Sequence, residues 1–243
     1  KKPNLEEQFT KIETRSNLIL LPRSMEVQIT GRVGSDTETQ SKIAIEYGLR
    51  DDITIGISNS NYLNTFDYFY RTNYPNKLID RFGFPFNLVY HSIISTQTDK
   101  PLIIDELDRL KFLHQLIIEY NIKSNIRFRV CPTYLHKNIA DTKLEPKGYP
   151  WDMWFLETGL DWFLKSNIEI YGSLIQQMTD TDISQGSQSA LKAGLQYYFK
   201  TISIDLSITN LYHLHGTAII DDIGINNYSE NFRIGFQINK MFN

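Results

Sequence analysis

Hydrophobic and polar residues alternate along almost the whole chain. In residues 25–33 (MEVQITGRV), Met25, Val27 and Ile29 share one parity, and Glu26 and Gln28 begin the opposite, polar parity. A period of two is typical of a β-strand with one apolar and one polar face. The same pattern recurs along the chain, which predicts twelve strands. The predicted strands span residues 25–33, 41–49, 53–58, 66–71, 82–90, 110–120, 126–134, 153–164, 168–175, 190–199, 202–209 and 232–242.

Residues 110–120 (LKFLHQLIIEY) also allow a helical interpretation, because the stretch is long and contains neither glycine nor proline. Lys111, Gln115 and Glu119 share one parity, opposite to that of most of the large apolar residues. Such an alternation favours a strand over a helix. We therefore predict a strand here.

The predicted connections alternate in length. Short ones lie near residues 50–52, 73–81, 121–125, 165–167 and 200–201, and longer ones near 34–39, 58–65, 93–106, 138–151, 179–186 and 210–229. An even strand number with alternating short turns and long loops is typical of outer-membrane barrels. The sequence thus predicts an all-β, antiparallel, up-and-down transmembrane β-barrel over residues 18–243, with both termini periplasmic. Residues 1–17 are expected to form an N-terminal periplasmic segment or a plug.

Aromatic residues provide a second indication of a membrane barrel. If the short turns are periplasmic, every second strand ends at the periplasmic interface and should finish on an outward-facing ring. All six such strands do so, which predicts an aromatic girdle. Its members are Tyr47, Tyr70, Tyr120, Trp162, Tyr197, Phe199 and Phe242.

Composition narrows the class of protein. The net charge of -3 differs from the positive charge that is typical of nucleic-acid-binding proteins. No run of about 18 apolar residues is present, which excludes a membrane-spanning helix but not a barrel. The single cysteine, Cys131, excludes an intrachain disulfide framework. The opening KKPNLEEQ has no hydrophobic signal core, so we expect an export signal to have been removed already.

Several stretches resemble an uncharacterised β-barrel family of Bacteroidota outer membranes. They are TRSN (14–17), LPRSMEVQITGRVG (21–34), IAIEYGLRDDITIGIS (43–58), CPTYLHKN (131–138), SALKAGLQYYFKTISIDLSITN (189–210) and FRIGFQINKMF (232–242). The resemblance implies an outer-membrane barrel in a Gram-negative host, in contact with outer-membrane lipid. It implies no activity and no catalytic or binding residues. The terminal aromatic strand also resembles the signal that such barrels present to the barrel-insertion machinery.

The most informative candidate site is a cluster of charges on the lumen-facing parity. Its members are Glu119, Arg127, Arg129, Asp161 and Glu169. A turn centred on Lys123 would place Glu119 directly across from Arg127. Lumen-parity charges along the whole barrel are nearly balanced, with nine cations against eight carboxylates, so we expect neither a strong anion funnel nor a strong cation funnel. Buried charges need partners, so the cluster is either an ion-pair network that holds the wall together or a pore constriction that sets selectivity.

His114 is unusual because its parity places it on the lipid face in the middle of a strand. We expect no serine beside it on that face, which argues against a lipid-face hydrolase. A β-bulge that turns the ring inward, or an envelope protein partner that covers it, is favoured. Neither His213 with His215 nor Asp180 with Asp182 provides a full ligand set, so no metal or cofactor is expected.

Two classes of function remain, and neither is enzymatic. The first is a narrow pore or transport barrel for small solutes. The second is a non-catalytic structural or accessory subunit of a larger outer-membrane complex. Twelve strands lie between the filled barrels of about 8 strands and the open channels of about 16. Bulky lumen-parity residues, such as Phe69, Leu113, Ile117, Phe155 and Tyr171, favour a narrow or filled lumen.

Overall fold

The computed structural model describes residues 19–33, 39–61, 64–73, 86–98, 110–138, 152–178, 189–210 and 232–242. Within these ranges, no helix has the length and hydropathy needed to cross a membrane. Residues 1–17 lie outside the described residues, so their assignment as a periplasmic segment or plug stays a prediction. The same holds for the histidine and aspartate pairs at 213 and 215 and at 180 and 182.

Twelve antiparallel strands form the described chain. They are β1 Met25–Val33, β2 Thr39–Arg50, β3 Ile53–Ser60, β4 Thr65–Asn73, β5 Phe86–Gln97, β6 Leu110–Lys123, β7 Ile126–Lys137, β8 Asp152–Lys165, β9 Ile168–Gln177, β10 Ser189–Phe199, β11 Ile202–Thr209 and β12 Arg233–Phe242. Each strand pairs with the next, and β1 pairs with β12 to close the barrel. Closure leaves no edge strand, so backbone hydrogen bonding continues around the whole barrel. The predicted fold class is confirmed.

The alternating sequence separates the two faces of the wall. On β2, Ile43 is 55% exposed on the outer face, whereas Ala44 and Glu46 on the inner face are 2% and 4% exposed. Aliphatic and aromatic side chains cover the outer face of every strand in the same manner. So large an exposed apolar surface is stable only in contact with lipid, as in a transmembrane barrel.

The two ends of the barrel differ. We call the end where β1 begins and β12 ends the terminal end, and the opposite end the loop end. Two-residue turns close four hairpins at the terminal end, at residues 51–52, 124–125, 166–167 and 200–201. Strand bulges lie beside three of these turns. The connection at 74–85 is longer than predicted, because β5 begins later than the sequence pattern suggested.

The bounds of β5 are the main correction to the predicted strands. The sequence predicts a strand over 82–90 followed by a loop from 93, but β5 runs from Phe86 to Gln97. Ile93 faces the lumen and Ile94 faces outward, so two adjacent apolar residues interrupt the visible alternation. Residues 82–85 lie outside the described chain.

The segment before β1 enters the terminal end of the lumen. Leu20 is buried, and its backbone N–H donates to Thr54 Oγ1 at 2.8 Å. Ile19 packs against a small apolar cluster on β5, β6 and β7. A Cβ on Gly48 would overlap the backbone oxygen of Leu21, so this approach requires glycine. Residues 19–24 therefore narrow the lumen at this end.

Candidate functional site

The predicted charge cluster assembles around one guanidinium in the terminal half of the lumen. Arg127 Nε donates to Asp161 Oδ2 at 2.8 Å, and its terminal nitrogens lie 3.6 Å from Glu119 Oε1 and 3.6 Å from Glu169 Oε1. Arg129 Nη2 lies 3.4 Å from Asp161 Oδ1. Four strands, β6 to β9, supply these side chains. All five residues predicted from the sequence are thus in one network.

The register of this network differs from the prediction. Glu119 lies opposite Arg129, and Asn121 lies opposite Arg127. The turn is formed by residues 124–125 rather than centred on Lys123, and a bulge between Asn121 and Lys123 shifts the pairing. Glu119 and Arg127 still meet, because the long guanidinium side chain reaches across the register.

Further polar side chains donate hydrogen bonds to the carboxylates of the cluster. The Tyr198 hydroxyl donates to Glu169 Oε2 at 2.6 Å, and Asn87 Nδ2 donates to Glu119 Oε2 at 2.9 Å. Asp161 is fully buried, and Arg127 lies over the Phe163 ring with Cζ 5.1 Å from its centroid. Buried charges are stable when they are paired and hydrogen-bonded in this way. The geometry therefore fits a wall-stabilising network, and it also places fixed charge in the lumen.

A second network lies across the lumen from the cluster. Arg71 pairs with Glu46, which also accepts a hydrogen bond from Gln28 Nε2 at 3.0 Å. Farther toward the loop end, Lys42 Nζ lies 3.1 Å from Asp67 Oδ2. Asp67 also accepts from the hydroxyls of Ser58 and Ser95. Side-chain contacts thus join the neighbouring strands from β1 to β5, in addition to the backbone hydrogen bonds between them.

The lumen charges are segregated along the barrel axis, although their total is nearly balanced as predicted. Among described residues, carboxylates prevail on the terminal halves of the strands and cations on the loop halves. The terminal half holds Glu26, Glu46, Glu119, Asp161, Glu169 and Asp205 with Arg71, Arg127 and Arg129; the loop half holds Arg32, Lys42, Lys111, Lys137, Lys192 and Arg233 with Asp67 and Glu157. Counting charges along the sequence could not reveal this separation, because consecutive strands run in opposite directions.

One side of the loop half is lined by apolar residues. The buried cluster comprises Ile93, Leu113, Leu135, Met153, Phe155, Ile175 and Ala190, with Phe69 packed against it. Leu113, Phe155 and Phe69 were among the bulky residues expected in the lumen. Tyr171 lies flat over Gly194 on the neighbouring strand, where an added Cβ would collide with its hydroxyl. Apolar side chains thus line this side of the lumen, and the Tyr171 ring lies against the wall.

The other side of the lumen contains a polar cavity. It has a volume of about 130 Å³ between β1, β2 and β10 to β12. Its lining residues are Gln28, Thr30, Arg32, Lys42, Lys192, Asp205, Ser207, Gly235, Phe236 and Gln237. Sequence reasoning did not single out this group, since its members come together only when β1 closes on β12.

The seven rings of the predicted girdle are all exposed on the outer face. Each belongs to an even-numbered strand near the terminal end. Tyr120 also contacts Phe86 of β5, with ring centroids 5.5 Å apart. Their position at a membrane interface stays a prediction.

His114 faces outward, as its parity predicted, and no bulge turns it into the lumen. Its Nδ1 lies 2.6 Å from the Tyr90 hydroxyl and 3.3 Å from Ser92 Oγ. The expectation that no serine lies beside it was wrong, because β5 continues past residue 90 and pairs Ser92 with His114. Tyr134 stacks on the same imidazole with ring centroids 6.2 Å apart. Through these contacts, the polar ring of His114 has hydrogen-bonding and stacking partners within the barrel wall, although it lies on the outer face.

Comparison with solved structures shows the same architecture in porins. The chain is similar to the NanC porin, with 8% identity and a TM-score of 0.59 over 88% of this chain and 98% of that chain. It is also similar to the KdgM porin, with 9% identity and a TM-score of 0.58 over 90% of this chain and 99% of that chain. Among curated proteins, none has a matching sequence.

The family assignment comes from the sequence itself. Residues 25–242, the span from the first residue of β1 to the last of β12, match a family described as "Membrane bound beta barrel domain (DUF5777)". The predicted uncharacterised barrel family and outer-membrane location are confirmed at this level, since such closed barrels are the outer-membrane type. The chain therefore belongs to the DUF5777 family of membrane-bound β-barrel domains.

Proposed function

We propose that this protein forms a narrow, ion-selective pore for small solutes in the outer membrane. The observation that carries the proposal is the cluster around Arg127, which puts three carboxylates and two guanidinium groups on the inner wall of a closed barrel. Rings of charged side chains set selectivity in channels. Twelve strands enclose a narrower space than the about 16 strands of open porins, so wall side chains lie close to any permeating ion.

The constriction is the terminal half of the lumen. Residues 19–24 enter this same half, where Leu20 is buried and its N–H donates to Thr54 Oγ1 at 2.8 Å. Carboxylates outnumber cations on this half among described residues, which favours cations at the narrowest level. The cationic loop half would act in the opposite sense, so the selectivity for small cations over small anions is modest.

The barrel is oriented with its terminal end in the periplasm. Short turns at that end and longer connections at the other are the arrangement of outer-membrane barrels. In this orientation the seven outward rings form a girdle at the periplasmic interface. The terminal strand, β12, ends on Phe242 and would present its aromatic end to the barrel-insertion machinery.

Single-channel recording in planar bilayers tests the pore. The folded barrel should give discrete openings, and Asp161→Asn should shift the reversal potential in a salt gradient toward anion selectivity, because one fixed negative charge is removed. Asp52→Asn is the matched control, since its ion pair with Arg50 lies on an exposed turn. A silent bilayer from demonstrably folded protein would reject the pore.

An accessory role in an envelope complex is the second candidate. It is favoured by the buried apolar side of the lumen and by the outward patch around His114, where Tyr90, Ser92 and Tyr134 surround the imidazole. No catalytic step is assigned to this patch, because Tyr90 engages Nδ1 and no carboxylate contacts the ring within the described chain. Stable co-purification of an envelope protein that is lost in His114→Phe would support this role.

A further inference from the structure

The polar cavity of the lumen has the size and composition of a ligand site. The cavity is partly enclosed and has a volume of about 130 Å³. This space admits an ion or group of the size of phosphate, sulfate or a carboxylate. The cavity lies at the border between the cationic loop half and the carboxylate-rich terminal half of the lumen.

Cations prevail in the lining. Arg32, Lys42 and Lys192 contribute three positive charges, against one carboxylate from Asp205. Lys42 is also paired with Asp67 behind it, at 3.1 Å. A partly desolvated site lined by more cations than carboxylates favours an anion over water.

Lys192 is the side chain best placed for an incoming anion. Its Nζ lies 5.0 Å from the centroid of the Tyr171 ring, and no carboxylate of the described chain lies within ion-pair distance of it. A cation held by a ring face keeps its ammonium donors for a ligand. Thr30 and Ser207 add hydroxyls to the same lining. The Thr30 hydroxyl donates to Gln237 Oε1 at 3.5 Å, and the Ser207 hydroxyl can donate to an anion.

Gly235 keeps the cavity open. An added Cβ at this position would lie 2.8 Å from Ser207 Oγ and 3.9 Å from Arg32 Nε. The first distance is shorter than a normal contact, so a methyl group would displace the serine or fill the space. A glycine here maintains the cavity between β11, β12 and β1.

We propose that this cavity binds a small oxoanion, either an inorganic ion such as phosphate or the carboxylate group of a solute. The inference rests on the proposed pore, because the anion reaches the cavity through the loop end of the lumen. Cations on the loop halves of the strands attract it, and the carboxylates beyond the cavity oppose its further passage. The barrel thereby holds an anion above its cation-favouring constriction.

Isothermal titration of the folded barrel in a zwitterionic detergent, with inorganic phosphate as the probe, tests the site. Phosphate should bind, and Arg32→Gln and Lys192→Gln should each weaken it about ten-fold or more, as expected for a lost charge-assisted hydrogen bond. Lys123→Gln is the charge-matched control, since Lys123 is exposed at a terminal-end hairpin. If acetate competes with phosphate, the site also accepts carboxylate groups. If acetate does not compete, the site is restricted to inorganic oxoanions.

Gly235→Ala provides a test that leaves every charge in place. The added methyl should weaken phosphate binding while the barrel keeps its heat-modifiable mobility on gels, which reports folding. Absence of phosphate binding to the folded wild-type barrel would overturn the site, as would equal weakening in Lys123→Gln. Ion conductance without phosphate binding rejects the site and retains the pore, whereas binding without conductance rejects the pore and retains the site.

Discussion

Replacing Asp161 with asparagine should destabilise the barrel, because this carboxylate holds two guanidinium groups. It is fully buried, with Oδ2 2.8 Å from Arg127 Nε and Oδ1 3.4 Å from Arg129 Nη2. Asparagine keeps the shape of the side chain and removes its charge. The effect on unfolding therefore reports the ion pairs rather than the packing.

The expected loss in the free energy of unfolding follows from these contacts. Removing one partner of a buried ion pair costs about 3 to 5 kcal/mol when the other charge is left alone. Arg127 keeps two carboxylates at 3.6 Å, from Glu119 and Glu169, so its charge stays partly compensated. The shorter hydrogen bond to a charged group is worth about 1.5 to 3 kcal/mol. We expect a loss of about 2 to 4 kcal/mol for Asp161→Asn.

Urea unfolding of the barrel in lipid vesicles, followed by tryptophan fluorescence, measures this loss. Asp52→Asn is the control, because its partner Arg50 is 68% exposed and such surface pairs contribute less than about 1 kcal/mol. A double-mutant cycle of Asp161→Asn with Arg127→Gln should give a coupling energy of about 1 to 3 kcal/mol. If Asp161→Asn costs no more than Asp52→Asn, the cluster does not stabilise the wall and our reasoning fails.

Three further predictions concern the lumen and the outer face. Gly194→Ala should reduce single-channel current, because its methyl would push the Tyr171 ring from the wall into the lumen. An unchanged current would contradict this, and adding Tyr171→Ala should restore part of the current, since the close approach of the methyl to the Leu206 carbonyl oxygen remains. Leu20→Ser should increase current, because it weakens the apolar anchoring of residues 19–24 at the terminal end; unaltered current would show that this segment does not narrow the path. Tyr120→Ala should lower the free energy of unfolding in bilayers by about 1 kcal/mol, which is the scale of an aromatic pair. Tyr120→Phe keeps the ring and should have a smaller effect. Equal losses in the two variants would argue against a role for the ring.

The strand pattern was readable from the sequence because it depends on local backbone geometry. Successive side chains of a strand point to opposite faces, so parity assigned Ile43 to lipid and Glu46 to the lumen without knowledge of any neighbour. The same rule found the outward position of His114 and the five charged residues of the cluster that contains Arg127. It failed at β5, where Ile93 and Ile94 are adjacent and apolar, and the missed strand end hid Ser92.

The contacts between strands were decided by the tertiary structure. A shift in one hairpin turn and a bulge beside it placed Glu119 opposite Arg129. The axial separation of lumen charges and the polar cavity depend on the registers of all twelve pairs and on the closure of β1 against β12. Alternation within a strand determines which face a residue occupies, but each register depends on turn geometry and on pairing between distant residues. The sequence alone thus determined what lines the lumen, and only the closed barrel determined which of those residues meet.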